Sequence, residues 1–246
     1  MIKIAINGFG RIGRLAFRQL IKNNSVQVCA INDLTDAATL GHLFKYDSAQ
    51  GSYKGKVSAD DKFITINGKK ITALTERNPA ALPWKKMKVD VVLECTGVFR
   101  DKAKAGMHLE AGAKKVVLSA PGKGEGIQTI VLGVNDQTLD IKNNIFSNAS
   151  CTTNCLSPVV KVLNDNFGIK VGSVNTTHAF TADQNIQDAP HSDLRRARAA
   201  TVNIVPTTTG AAVATGLVIP EVAGKLSAMA FRVPVITGSL VEMNVV

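Results

Sequence analysis

Cys151 stands in Ala-Ser-Cys-Thr-Thr-Asn-Cys, immediately ahead of a stretch that reads as a helix over roughly 152–166. A thiol attacks a carbonyl only as the thiolate, and a helix N-terminus stabilises that anion. Ser150, Thr152 and Thr153 place hydroxyl donors around it. An imidazole completes the activation of such a nucleophile. Of the four histidines, His178 is the best candidate, because it ends the strand-like run VGSVNTTHAF. His42 and His108 fall on predicted helices of the first half, and His191 lies in the polar loop Pro-His-Ser-Asp. Cys155 follows Cys151 at a spacing of four, which is not the C-x-x-C of a redox pair, and no second cysteine pair exists for zinc. It reads as structural, as do Cys29 and Cys95 inside apolar runs.

The second chemical signature is Asn-Gly-Phe-Gly-Arg-Ile-Gly-Arg at 7–14. Gly8, Gly10 and Gly13 form G-x-G-x-x-G, directly after the apolar strand IKIAI and at the mouth of an amphipathic helix over 11–22. In that context the glycines serve a tight turn, close approach of a pyrophosphate, and helix–strand contact. The helix N-terminus then faces the phosphates. Asp33 ends the next strand, where a carboxylate bonds ribose hydroxyls and repels a 2′-phosphate. Leu34 follows it in place of a cation, so the expected cofactor is NAD rather than NADP.

The elements that must position these residues fall into two sets. In the first, strand-like runs at 26–31, 89–97 and 114–121 alternate with helix-like stretches at 36–45 and 101–111. Asp36 or Thr35 is placed to cap the helix at 36–45. The near-continuous apolar strands are of the buried parallel kind, and the alternation implies a doubly wound parallel sheet. Asn67-Gly68 marks a type I′ hairpin. After residue 148 the pattern becomes a loop, a helix, and strand-like segments at 170–178, 225–233 and 238–246. The expectation is an α/β chain: a Rossmann domain over 1–149, then an α+β catalytic domain over 150–246 with an antiparallel sheet. The last segment, SLVEMNVV, runs to the final residue without a turn, so the catalytic domain is expected to be incomplete at its C-terminus.

Composition narrows the class. Lys and Arg number 29 against 19 Asp and Glu, a formal charge of +10 in 246 residues. That balance suits phosphorylated ligands as well as nucleic acid. The basic residues are dispersed and aromatics make up only 5%, which disfavours nucleic acid as the main partner. No apolar run approaches the ~18 residues of a membrane helix, and the N-terminus carries no secretory pattern. The cysteines do not form a disulfide framework, and a cytoplasmic protein is expected.

These motifs, with His-Ala-Phe-Thr, Asp-Leu-Arg-Arg-Ala-Arg, Pro-Thr-Thr-Thr-Gly-Ala-Ala and Phe-Arg-Val-Pro, closely resemble the glyceraldehyde-3-phosphate dehydrogenase family from residue 1 to 246. The resemblance implies a glycolytic oxidoreductase in which Cys151 is the nucleophile and His178 the base. Glyceraldehyde 3-phosphate passes through a thiohemiacetal and a thioester to 1,3-bisphosphoglycerate, NAD is reduced, and inorganic phosphate accepts the acyl group. It assigns Arg11, Ile12, Asp33, Arg77, Thr96, Gly97 and Ser119 to the cofactor. Thr181 and Arg232 go to the substrate's phosphate ester. Ser150, Thr152, Thr209 and Gly210, with Arg196, go to the attacking phosphate. Pro190 matches the NAD-preferring pattern, and a homotetramer is implied. Asn148 and Val213 stand where many relatives carry serine and lysine. Asn148 keeps erythrose-4-phosphate dehydrogenase as an alternative. A non-catalytic NAD- or RNA-binding fragment is the other, against which stands the retention of Cys151, His178 and both anion pockets.

Overall fold

β1 (Ile2–Asn7) is apolar because it is covered on both faces and paired on both edges, with Ala5 and Ile6 fully buried in the computed structural model, which describes residues 1–246. It turns at Gly8 into α1 (Arg11–Leu20), then β2 (Val26–Asn32) and α2 (Ala37–Lys45). β3 (Val57–Ala59), β4 (Phe63–Ile66) and β5 (Lys69–Leu74) follow, then α3 (Trp84–Met87), β6 (Val91–Glu94), α4 (Lys102–Glu110), β7 (Lys115–Leu118), β8 (Gln128–Thr129) and β9 (Ile145–Ser147). The sheet order is β3-β4-β5-β2-β1-β6-β7-β9-β8. From β5 to β8 every pairing is parallel, and β3 and β4 extend the edge antiparallel. Successive strands lie on opposite sides of β1, so a crevice must open at its carboxyl end.

Local chemistry accounts for the boundaries. Asp36 caps α2 by accepting from the Thr39 N–H at 2.8 Å, and Asp101 caps α4 through Lys104 at the same distance. Asn67 and Gly68 both take positive φ between β4 and β5, as a type I′ turn requires. Phe9, Phe17 and Phe44 pack ring against ring, with centroids 5.1–6.3 Å apart, and anchor the glycine turn from below.

The second set comprises α5 (Cys151–Phe167), β10 (Gly172–Ala179), β11 (Val205–Thr208), α6 (Ala211–Val218), β12 (Leu226–Val233) and β13 (Ser239–Val245). The chain divides into two compact units, one of residues 1–129 and 139–149, the other of 130–138 and 150–246. Residues 130–138, which lack regular structure of their own apart from one short 3₁₀ turn at Asp136–Thr138, group with the second unit. The expected antiparallel sheet is corrected: in the order β11-β12-β10-β13, the central pair β10 and β12 is parallel. Parallel neighbours need a long crossover, which the loop after β10, β11 and α6 supply. β11 and α6 had no clear pattern in the sequence, where Pro206 interrupts one and Gly216 the other. No helix is long and apolar enough to cross a membrane.

Gly8 has φ +90°, and a Cβ there would lie 2.7 Å from the Thr96 nitrogen. Gly8→Ala should therefore lose about 1–3 kcal/mol of stability in urea unfolding; an unchanged midpoint would contradict this packing.

Candidate active site

Cys151 opens α5, with Ser150 as the cap accepting from the Thr153 N–H at 3.1 Å. His178 is the next-to-last residue of β10, and its Nε2 lies 3.3 Å from Cys151 Sγ. The other ring nitrogen, Nδ1, lies 2.7 Å from the Ala179 carbonyl, an acceptor only, and 3.1 Å from Arg232 Nη1, a donor only; the shorter contact puts the hydrogen on Nδ1. That leaves Nε2 to take the thiol proton. The hydrogen bond from His178 pulls the Cys151 thiol down to about 7 against the opposing effect of burial. The same contact raises the His178 imidazole. The pair is thereby poised between thiol–imidazole and thiolate–imidazolium. Burial pushes Cys29 up and Cys95 up to about 11, which removes both as nucleophiles near neutrality.

Arg232 reaches this pair through sheet register, since β12 sets it directly beside His178 on β10. Directly paired residues share a face of the sheet. Arg232 Nη1 donates to the Ala179 carbonyl at 3.2 Å and to Thr181 Oγ1 at 3.4 Å. Its Nε is buried without a partner. Burial, and next the like charge of Arg196, lower the Arg232 guanidinium. Arg196 is held by Thr207 Oγ1 at 2.8 Å and Asp183 at 2.5 Å. The result is a thiol–imidazole pair with the Arg232 guanidinium against it and Arg196 close enough to Arg232 for the two charges to interact, an arrangement that receives an anionic carbonyl compound. Ser150 Oγ lies 2.7 Å from Thr153 Oγ1, and Thr209 Oγ1 accepts from the Ala211 N–H at the start of α6. Thr152 is buried, and Gly210 caps α6 without a side chain.

In the first unit, a crevice of about 440 Å³ opens at the carboxyl ends of β1, β2, β5 and β6. That volume is within the range of small-molecule sites. Gly8, Gly10, Asp33, Arg77 and Thr96 line it. A Cβ on Gly10 would meet no protein atom within 4 Å, so this glycine keeps open space rather than relieving a clash. Gly10 also caps α1 without a side-chain acceptor, as an N-terminus turned to an anion requires. Asp33 is oriented by the Phe9 N–H at 2.7 Å and the Thr35 N–H at 3.1 Å. An oriented carboxylate, an open glycine turn and a bare helix end fit an adenosine dinucleotide.

Residues 2–102 match the family model described as glyceraldehyde 3-phosphate dehydrogenase, NAD binding domain, and residues 150–246 match that of the C-terminal domain. The chain belongs to the glyceraldehyde-3-phosphate dehydrogenase family. Relatives named glyceraldehyde-3-phosphate dehydrogenase include one from Mycoplasma pneumoniae, 57% identical over 216 residues, covering 88% of this chain and 64% of its own. One from Clostridium acetobutylicum is 56% identical over 87% of this chain and 64% of its own. One from Thermotoga maritima is 54% identical over 88% and 66% respectively. The chain thus spans somewhat under two thirds of the length of these relatives.

Of the residues assigned to the cofactor by the glycine motif or the family pattern, five line the crevice and Arg11, Ile12, Gly13, Gly97 and Ser119 do not. Arg11 pairs instead with buried Asp47. A Cβ on Gly13 would overlap the Gly8 carbonyl, so its part is helix–strand contact. Gly97 turns the chain at φ +73°, and Ser119 donates its N–H to the Glu94 carbonyl. Sequence reasoning missed Asn7, Asn32, Glu76, Cys95 and Phe99 on the crevice walls. Their signal was position alone, since Asn7 and Asn32 end parallel strands, Cys95 directly follows one and Glu76 lies two residues beyond another. His191 stays in its loop, with Nε2 3.5 Å from Asp183. Val213 is exposed on α6.

Alkylation of Cys151 by iodoacetamide should follow the thiolate, rising with pH through a midpoint at about 7. His178→Asn should move that midpoint up toward the ordinary thiol value of ~8.5 and slow the reaction at neutral pH. An unshifted profile in the variant would remove His178 from the activation of the thiol.

Proposed function

We propose that the protein to which this chain belongs is a glycolytic, NAD-dependent, phosphorylating glyceraldehyde-3-phosphate dehydrogenase. The observation that carries the reading is the 3.3 Å thiol–imidazole contact at the start of α5, with Arg232 Nη1 3.1 Å from the imidazole. Family membership and the crevice around Gly10 and Asp33 support NAD as the cofactor.

The residues divide the work by their chemistry. Cys151 thiolate adds to the aldehyde carbon, forming a C–S bond, and His178 Nε2–H protonates the new alkoxide to give a thiohemiacetal. Returned to its neutral form, Nε2 takes the hydroxyl proton as the carbon is oxidised. NAD, when bound, supplies the hydride acceptor for that oxidation. Inorganic phosphate then attacks the thioester carbonyl, the C–S bond breaks, and Cys151 leaves as thiolate with an acyl phosphate as product. A thiol whose conjugate base is stable near neutrality is a good leaving group as well as a good nucleophile. Arg232 and Thr181 bind the phosphate ester of the substrate, because guanidinium and hydroxyl donors match tetrahedral oxyanions. Arg196, with Ser150, Thr152, Thr209 and Gly210, is assigned to the attacking phosphate. Asp33, Arg77, Thr96 and the glycine turn hold NAD, with Arg11, Ile12, Gly97 and Ser119 assigned to the same cofactor site. A homotetramer is the assembly this reading carries.

NADH formation from glyceraldehyde 3-phosphate by the full-length protein should require inorganic phosphate, and erythrose 4-phosphate should be the poorer substrate. Cys151→Ser should lower turnover by more than ~10³-fold, as loss of an enzymatic nucleophile does, while calorimetry still detects NAD. Phosphate-independent turnover, or an active serine variant, would refute the reading.

A further inference from the structure

Glu94 closes β6 with its side chain only 1% exposed, and no lysine or arginine pairs with it. A carboxylate withdrawn from water is tolerable only when hydrogen bonds surround it. Here four donors do so. Oε1 accepts from the Thr96 N–H at 2.7 Å and from the Thr96 hydroxyl. Oε2 accepts from Asn7 Nδ2 at 2.6 Å and His108 Nε2 at 3.0 Å. The His108 tautomer follows from its other side, where Trp84 Nε1 donates to Nδ1 at 3.1 Å and leaves Nε2 to carry the hydrogen. Beyond Asn7 the network continues: Asn7 Oδ1 accepts from Asn32 Nδ2 at 2.7 Å. The Asn32 amide then grips both the carbonyl and the N–H of Glu76, each at 2.8 Å.

One buried carboxylate thereby ties together the carboxyl ends of β1, β2 and β6 and the segment after β5. Asn7, Asn32, Glu76 and Thr96 are the crevice wall. None of the catalytic steps uses Glu94, His108 or Trp84, and buried ionic groups are in general a poor route to stability. A site ordered before its ligand arrives binds with a smaller entropic loss. We propose that Glu94 is the positioning residue of the dinucleotide crevice, holding Thr96, Asn7 and the Asn32–Glu76 latch in binding geometry, with His108 as its orienting partner. The proposal rests on the reading of that crevice as the NAD site. It also assigns Thr96 a definite part. Its hydroxyl hydrogen is committed to Glu94 and its oxygen accepts from the Val98 N–H at 3.0 Å, so Thr96 shapes the turn beneath the ligand.

Glu94→Gln tests this directly, because an amide keeps the shape but meets two of the four donors with its own N–H groups. Calorimetric titration of the wild type and the variant with NAD and with ADP-ribose, well below each protein's unfolding temperature, is the measurement. Both dissociation constants should rise roughly tenfold or more, as expected for losing hydrogen bonds to a charged acceptor. A variant with a lower unfolding temperature but wild-type affinities has lost only structure, and that result overturns the proposal. Wild-type protein that binds neither ligand overturns the NAD reading and this proposal together. Should Glu94→Gln not fold, hydrogen exchange of the wild type decides. The Thr96 and Val98 amides should be protected in the ligand-free protein, and fast exchange that slows only with NAD would overturn the proposal.

Discussion

A thiolate survives at neutral pH only where something answers its charge, and in this chain the answer is His178. Everything else in the second unit follows from keeping that imidazole 3.3 Å from Cys151. The thiol is placed by the cap of α5, since Ser150 fixes where the helix begins and so which residue occupies its first turn. The imidazole is placed by β10, and its tautomer by the Ala179 carbonyl one residue further on. Parallel pairing with β12 sets Arg232 beside it in register. Three elements distant in sequence therefore converge on one sulfur. The guanidinium group gives up hydration to be there, a cost that an anionic ligand can offset through charge-assisted hydrogen bonds.

The first unit solves a different problem, which is to hold a large polyanion with backbone rather than with many cations. Gly10 contributes space, α1 contributes an uncapped end, and Asp33 contributes an oriented acceptor. The strand ends around them lack the support of continued sheet pairing. The network under Thr96 and Asn7 replaces that support with side-chain hydrogen bonds. Such networks strengthen when fully satisfied and fail when one member is lost.

Much of this was legible in the sequence. The apolar runs at β1, β2, β6 and β7, the glycine turn, and the cap at Asp36 all act through neighbours close in the chain. Cys151 was legible for the same reason, as a cysteine preceding a helical pattern. The Arg232–His178 contact was not, because it depends on a parallel register between strands more than fifty residues apart. The expectation of an antiparallel sheet failed there too, since strand-like segments carry no mark of their direction. Glu94 and His108 were invisible for another reason. A buried carboxylate inside VVLECTG breaks the apolar pattern without showing which donors will satisfy it, and those donors come from β1, α4 and the turn after β6. Burial of charge is decided by tertiary structure, so local patterning does not report it.

Both units thus organise their chemistry from the ends of secondary structure, where backbone N–H groups are available and side chains can be aimed. The family pattern supplies the assignment, and the physical reading says why each group is suited to it. The central claim is that Cys151 becomes acylated during turnover. Mass spectrometry of full-length protein mixed with glyceraldehyde 3-phosphate and NAD, without phosphate, tests it most directly. The account predicts an acyl adduct on the peptide carrying Cys151, discharged as acyl phosphate when inorganic phosphate is added. NADH formed with no adduct on that peptide, or an adduct confined to another cysteine, would contradict it.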